Sequence, residues 1–202
     1  MRLSEARHDL YRRLAREQGY KSRAAFKLVE ANERYGFLKQ GSRVIDFGSS
    51  PGGWLQVASE LVGPGGLVLG VDTAPIRVRE KNVVSLRMDV NDQGFASRAL
   101  DSLGGRADVF LSDLAPTVSG VWELDQSRQV DLTMRVLALA PALLKGGGCL
   151  FCKLFEGEGS QGVRGELRAS FGRVRVIKPA ASRRASSELY YFCEGFESPP
   201  PR

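Results

Sequence analysis

Short apolar runs recur along this chain. Most end in an ionisable residue, and stretches with helical spacing separate them. The runs predict strands over 43–47, Leu67–Val71 with Asp72 at its end, Val83–Met88 with Asp89 at its end, and Asp108–Ser112 before Asp113. Further strands are predicted over 149–152, before Lys153, over Arg173–Ile177 and over Glu188–Cys193. Helices are predicted at 4–19, from Arg23 to about Arg34, and at 53–62, 95–103, 124–144 and 160–171. In the second of these Ser22 is placed to cap, Ala25, Phe26 and Val29 face the core, and Lys27 lies inside the helix. Gly146-Gly147-Gly148 reads as the turn that closes the long helix. Alternation of this kind is an α/β pattern: a mainly parallel sheet with helices on both faces. Ligands of such sheets bind outside the carboxyl ends of the strands, which is where Asp46, Asp72, Asp89, Asp113 and Lys153 fall.

The first strand runs into Asp46-Phe47-Gly48-Ser49-Ser50-Pro51-Gly52-Gly53-Trp54, then into an amphipathic stretch. Strand, tight loop and helix in succession open a nucleotide-binding unit. Gly48, Gly52 and Gly53 remove side chains where the backbone must turn and lie close to a ligand. Pro51 stiffens the loop and is tolerated at a helix start. The pattern is D-x-G-x-x-P-G-G, with Asp46 in place of the first glycine of the dinucleotide fingerprint. An acid repels a pyrophosphate there and suits a ligand with a cationic group, such as the amino group and sulfonium of S-adenosylmethionine. Asp72 follows at the ~20-residue spacing at which the second strand's acid reaches a ribose. Asp89, one strand further out, is placed to accept from an adenine amino group or to cap its own turn.

Composition narrows the class. At 202 residues, 43% hydrophobic and 26% charged, the chain suits one soluble domain over 1–196, with a basic helical segment at 1–34 and a disordered tail at 197–202. No apolar run approaches the ~20 residues that span a bilayer, and the first residues lack the apolar core of a signal peptide. A cytoplasmic protein without membrane contact is expected. Of a net charge of +6, a surplus of five sits in residues 1–27. Arg12, Arg13, Arg16, Lys21 and Arg23 there form a candidate footprint for RNA phosphates. The bland alternative is a solvated helical face. Three cysteines make no disulfide framework. Cys149 and Cys152 lie three apart on a strand and so on opposite faces, which predicts reduced core thiols and no metal site.

Five blocks together resemble the FtsJ-type (RrmJ) RNA 2′-O-ribose methyltransferases. They are Tyr20–Leu28 (YKSRAAFKL), Asp46–Trp54, Ser112-Asp113-Leu114-Ala115-Pro116, Lys153-Leu154-Phe155-Glu156-Gly157 and Ser187-Glu188-Leu189-Tyr190. The blocks stand in family order, and the resemblance spans roughly residues 9 to 196. It implies a Rossmann-like methyltransferase sheet of seven strands with the seventh antiparallel, S-adenosylmethionine as donor, and a Lys-Asp-Lys-Glu tetrad. By motif the tetrad falls on Lys27, Asp113, Lys153 and Glu188, and the donor site on Asp46, Gly48, Ser49, Pro51, Gly52, Gly53, Trp54, Asp72, Asp89 and Asp113. Thr117 stands where the family commonly has Asn. An antiparallel seventh strand starts at the edge where the fourth and fifth end, so Lys153 is expected between the carboxylates of Asp113 and Glu188.

The implied activity is 2′-O-methylation of RNA, with a uridine of large-subunit (23S-type) ribosomal RNA as substrate, the large ribosomal subunit as partner and a monomeric enzyme. Methyl transfer is an in-line displacement whose hard step is taking a proton from a weakly acidic hydroxyl. A buried lysine beside a second ammonium can lose its charge and act as base. Neighbouring carboxylates oppose that loss, so Lys153 is either the base or the group that steers the hydroxyl. A tRNA anticodon-loop methyltransferase and a non-catalytic RNA-binding assembly factor are the other readings. A nicotinamide oxidoreductase is disfavoured by Asp46 and by a Tyr35-to-Lys39 spacing that lies before the first strand with Gly36 inside it.

Overall fold

The computed structural model describes residues 3–182 and 186–197. Arg2 and the expected tail from Ser198 onward lie outside the described residues. The elements in chain order are α1 (Leu3–Glu17), α2 (Ala25–Tyr35), β1 (Arg43–Phe47), α3 (Gly53–Val62), β2 (Leu67–Asp72), β3 (Val83–Arg87) and α4 (Phe95–Leu103). They continue with β4 (Ala107–Ser112), α5 (Trp122–Leu143), β5 (Leu144–Phe155), α6 (Ser160–Ser170), β6 (Phe171–Ile177) and β7 (Glu188–Phe196). The strands form one sheet in the order β3-β2-β1-β4-β5-β7-β6. β7 runs antiparallel to β5 and β6, and the pairings among β1 to β5 are parallel. Strand order reverses between β1 and β4, the switch point at which open α/β sheets bind ligands.

Strand periodicity divides the apolar residues between two cores. Ile45, Phe47, Phe110, Leu150, Cys152 and Tyr191 point to one face, under α4, α5 and α6. Val44, Val109, Leu111, Phe151, Tyr190 and Phe192 point to the other, under α2 and α3. Cys149 packs with this second core and Cys152 with the first, so the two thiols stand on opposite faces. Cys149 is only half-buried, because its other side lines a surface cleft with Gly146, Gly147 and Gly148. Burial pushes the Cys152 thiol up to about 12, so it stays a neutral apolar filler.

Several local expectations change. Ser22 does not cap α2: Ala24 takes that position without a side-chain bond, and the Ser22 carbonyl accepts from Ala25 N–H. The core stripe of α2 is Ala25, Leu28 and Ala31, with Val29 half-buried against it as expected. Phe26 turns instead toward α1, with its ring 5.5 Å from Tyr11 and 5.7 Å from Tyr20. Gly36, at φ 60°, ends the helix in the left-handed region and donates to Asn32 O. Gly146-Gly147-Gly148 is not a turn before β5 but lies within it. β5 pairs Leu144 with Ala107 and then Cys149 with Val109, so the glycines are taken up in a bulge where Gly147 has φ 77°.

Candidate active site

Side-chain parity assembles the site. Val109 and Leu111 face the α2/α3 side, so Asp113, one step beyond the end of β4, falls on that side too. Phe151 places Lys153 there, Tyr190 places Glu188 there, and Val44 places Asp46 there. The register sets Lys153 directly opposite Tyr190 and Phe155 opposite Glu188. α2, which covers the same face, lays Lys27 across the strand ends.

The side chains form one connected group. Lys27 Nζ donates to Glu188 Oε1 at 2.6 Å and to the Tyr190 hydroxyl at 2.8 Å. Tyr190 in turn donates to Asp113 Oδ1 at 2.8 Å. Lys153 Nζ lies 3.2 Å from Asp113 Oδ1 and donates to the Asp113 carbonyl at 2.8 Å. Both lysines are about 5% exposed, burial that ammonium groups accept only with such partners. The tetrad expected from sequence is thus brought together. Lys153, however, is paired with Asp113, while Glu188 is paired with Lys27 and with Ser182 Oγ, which donates to it at 2.9 Å. Lys153 does not bridge two carboxylates, because the tyrosine opposite it occupies the intervening space.

Burial pushes the Asp113 carboxyl up, but the Lys153 and Lys27 ammoniums and the Tyr190 hydroxyl outweigh it and hold the acid below its ordinary range. Burial and the neighbouring Asp113 and Glu188 hold the Tyr190 phenol well above its own, so it remains a neutral donor. Tyr190 is the residue that sequence reasoning passed over. Its signal was present in its position two residues after Glu188 and so on the same strand face. Gln129, on α5, was missed as well; its amide donates to the Lys153 carbonyl at 3.2 Å. Contact across the sheet with a buried helix leaves no local pattern to read.

The loop after β1 is held chiefly by the protein itself. Gly48 N–H continues the ladder to Val71 O, and a Cβ at Gly48 (φ 76°) would lie 2.9 Å from the Leu114 backbone. A Cβ at Gly52 or Gly53 would strike Val78 Cγ2 at 2.1 Å or Ser22 Oγ at 2.3 Å. On the side where a Cβ would point, these glycines admit neighbouring chain. Pro51 follows a cis peptide bond and sits in the loop, two residues before α3, not at a helix start. Trp54 turns inward: its indole donates to Ala24 O at 2.7 Å and stacks on Phe151. What Trp54 offers outward is its backbone N–H in the first turn of α3, where helical N–H groups lack intrahelical partners. Asp72 ties the loop down, accepting Ser50 N–H at 2.9 Å and Ala74 N–H at 2.8 Å on separate oxygens. Asp89 is exposed and caps its own turn through Asn91 N–H at 2.8 Å.

Asp46 is the exception to this satisfaction. It is fully buried at the end of β1, and neither of its oxygens has a hydrogen-bond partner among the described residues; nor has the buried Ser49 hydroxyl. Burial, then Asp113 and Asp72, push the Asp46 carboxyl well above its usual range. A buried carboxylate without a partner costs several kcal/mol unless something cationic or donating meets it. The donor set thus fits a ligand that carries a positive charge.

Away from the strand ends, Arg12, Arg16, Lys21 and Arg23 line a concave surface of about 510 Å³ with Ala15, Tyr20 and Ser22. Arg13 is not part of this concavity and pairs with Glu17 at 3.6 Å along α1. Arg23 also donates to Ala181 O at 3.3 Å.

A Rossmann-like sheet with an antiparallel seventh strand and an acid-lined switch point is the architecture of S-adenosylmethionine-dependent methyltransferases. Aeropyrum pernix fibrillarin, solved with natively bound S-adenosyl-L-methionine, shares the fold at TM-score 0.59 and 18% identity, over 83% of this chain and 75% of that one. A putative ribosomal RNA methyltransferase of Plasmodium falciparum superposes at TM-score 0.77 with 25% identity, over 88% of this chain and 98% of its own. The FtsJ-like methyltransferase family model matches residues 20–196, and the chain belongs to that family. Proteins named ribosomal RNA large subunit methyltransferase E are among its relatives. That of Methanothrix thermoacetophila is 40% identical over 96% of this chain and 75% of its own, and that of Cenarchaeum symbiosum 42% identical over 97% and 99%.

Proposed function

We propose that the protein transfers a methyl group from S-adenosylmethionine to the 2′-oxygen of a ribose in large-subunit ribosomal RNA, a uridine by the family resemblance. The observation that carries this reading is the buried Lys27–Tyr190–Asp113–Lys153 chain at the ends of β4, β5 and the start of β7. The names of the relatives supply the substrate class. When bound, the donor supplies a methyl carbon already activated by its sulfonium. Asp46 and the Ser49 hydroxyl would hold its cationic end, and Asp72 retains lone pairs for ribose hydroxyls beside the two N–H bonds it already accepts. Asp89 and the first N–H groups of α3, those of Gly53 and Trp54, would complete that seat.

The remaining work falls to the cluster. The 2′-hydroxyl must lose its proton as its oxygen bonds to carbon. Asp113 is a poor proton acceptor because the two ammoniums favour its charged form. Tyr190 is held neutral and can only donate or relay. Lys153 Nζ carries three valences beyond its stem; two are engaged by Asp113, and the third is left for the ribose oxygen. Lys153 therefore orients that oxygen through its third N–H, and it takes the hydroxyl proton once that N–H has been given up to solvent, its charge being restored as the oxygen bonds to carbon. Lys27, anchored on Glu188, positions the substrate from the helix side. The concavity at Arg12, Arg16, Lys21 and Arg23 would receive RNA phosphates.

Cytoplasmic action as a monomer on the ribosomal particle completes the reading. Among the described residues, no helix is long and apolar enough to cross a membrane. The test is incubation with labelled donor and isolated large subunits, free ribosomal RNA or tRNA, followed by mapping of the labelled nucleotide. Label on a ribose of large-subunit RNA is expected. Label only on tRNA, or on none of these RNAs, overturns the substrate assignment.

A further inference from the structure

Between β4 and α5 the chain exposes an unusual amount of apolar surface. Val118 is 79% exposed, Val121 54%, Trp122 46% and Leu124 42%. Scattered apolar residues on a surface need no explanation, but four within seven positions form a patch. The patch is fixed in shape. The buried Asp125 carboxylate accepts Ser119 N–H at 2.8 Å, the Ser119 hydroxyl at 2.7 Å and Gly120 N–H at 3.3 Å, which pins the loop to the first turn of α5. It also borders the cluster. The Trp122 indole stacks on Phe155, with ring centres 5.9 Å apart and planes inclined by 30°. Phe155 follows Lys153 by two residues on the same face of β5, and Lys153 Nζ lies 5.9 Å from the centre of its ring. Two such steps lead from the Lys153 ammonium to the half-exposed indole.

We propose that Trp122 is the stacking platform for an unpaired nucleobase of the RNA substrate, at or next to the nucleotide whose ribose meets Lys153. This rests on the reading of the protein as an RNA 2′-O-methyltransferase and adds a base seat to it. Bases that an enzyme must draw out of a helix or loop are held by stacking on aromatic side chains, and an indole with solvent beside it offers such a surface. The charge around the indole selects the base rather than the backbone. Glu123, exposed in the same helical turn, disfavours a phosphate there, and Glu156, just beyond Phe155, holds the nearby Arg164 in an ion pair. Phosphates have the basic concavity elsewhere, so the two surfaces divide the substrate between them.

The test compares wild type with Trp122→Ala, Trp122→Leu and Trp122→Phe, using single-turnover methyl transfer to free ribosomal RNA and to isolated large subunits. Calorimetric donor affinity serves as the check on folding. Loss of a base–aromatic stack should raise the RNA concentration for half-maximal rate roughly five- to a hundred-fold in the Ala and Leu variants, with donor affinity unchanged and Trp122→Phe near wild type. RNA should also quench tryptophan fluorescence in wild type but not in Trp122→Phe, which keeps only the buried Trp54. If Ala fails to bind donor, the fluorescence comparison decides. A Leu variant that behaves as wild type, or a loss confined to assembled subunits, overturns the base seat in favour of simple apolar cover or a protein contact. Variants and quenching all indifferent to RNA overturn it while methyl transfer by wild type keeps the enzymatic reading intact. A wild type that methylates no RNA removes both.

Discussion

Lys153 and Lys27 are chemically alike and similarly buried, yet their surroundings set different expectations. Lys153 is fixed on a strand against Asp113, whereas Lys27 reaches in from a helix and is held by Glu188. Lys153→Ala should lower the single-turnover rate by ~10²-fold or more, the scale of a lost acid–base group, and leave donor and RNA affinity nearly unchanged. Lys153→Arg separates proton transfer from steering, because a guanidinium keeps a cation in place but does not give up its proton. An Arg variant as slow as the Ala variant is the outcome expected; a near-normal Arg variant would falsify the role of base. Asp72 presents a different case, since each of its oxygens already serves the protein. Asp72→Ala should therefore weaken donor binding by ~1–3 kcal/mol, the scale of lost hydrogen bonds to a charged acceptor, and loosen the loop as well. Calorimetry reads the first effect, and faster amide exchange at Ser50 reads the second.

Helices and strands carry the next level of argument, and it begins with α1. Arg12 and Arg16 share the concave surface that continues to Lys21 and Arg23, while Arg13 is partly neutralised by Glu17. Replacing Arg12 and Arg16 with Gln should weaken RNA binding and flatten its dependence on salt, since the slope falls by about one unit for every phosphate left without its cation. Replacing Arg13 alone should do little of either, and donor affinity should stay fixed in both; titration at several salt concentrations checks all three. The strands that build the site were legible because an apolar run with an acid or lysine at its end is a local pattern. Parity along β4, β5 and β7 also sends Asp113, Lys153 and Glu188 to one face. The pairing inside the cluster was not legible. It depends on Tyr190 standing opposite Lys153, a register fixed by the whole β5–β7 ladder. The glycines of β5 misled for a related reason: three in succession read locally as a turn, and only pairing with β4 shows a bulge. That Leu114, Val78 and Ser22 pack against the loop glycines was not legible either, because they approach from distant segments.

For the molecule as a whole, the sheet gathers like charges at one edge, and all but the central one are compensated by the protein. Asp113 has the Lys153 ammonium and the Tyr190 hydroxyl, Asp72 has two N–H groups, and Asp46 has no partner among the described residues. The fold thus carries an uncompensated acid at its centre, placed where a cationic donor would complete it. The consequence for stability follows from the direction of the shift. An aspartate whose carboxyl is raised in the folded state costs nothing below its unfolded value of about 3.9, where both states are protonated. As pH rises from there through the raised folded value, the unfolded chain gives up its proton first, and stability falls until the folded acid ionises too. Asp46→Asn removes this penalty. In the absence of donor the variant should melt higher than wild type near neutral pH, by about 2–4 °C for each ~1 kcal/mol recovered in a chain of this size. The advantage should shrink to nothing as pH is lowered toward 4. With saturating donor the order should reverse, because ligand that binds only the folded state raises the melting temperature in proportion to its affinity, and the variant has lost the charge that the donor's cation meets. Thermal melts of both proteins across pH, with and without donor, test the whole argument. If Asp46→Asn melts lower without donor at neutral pH, the carboxylate is a structural partner rather than a site held open for a cation.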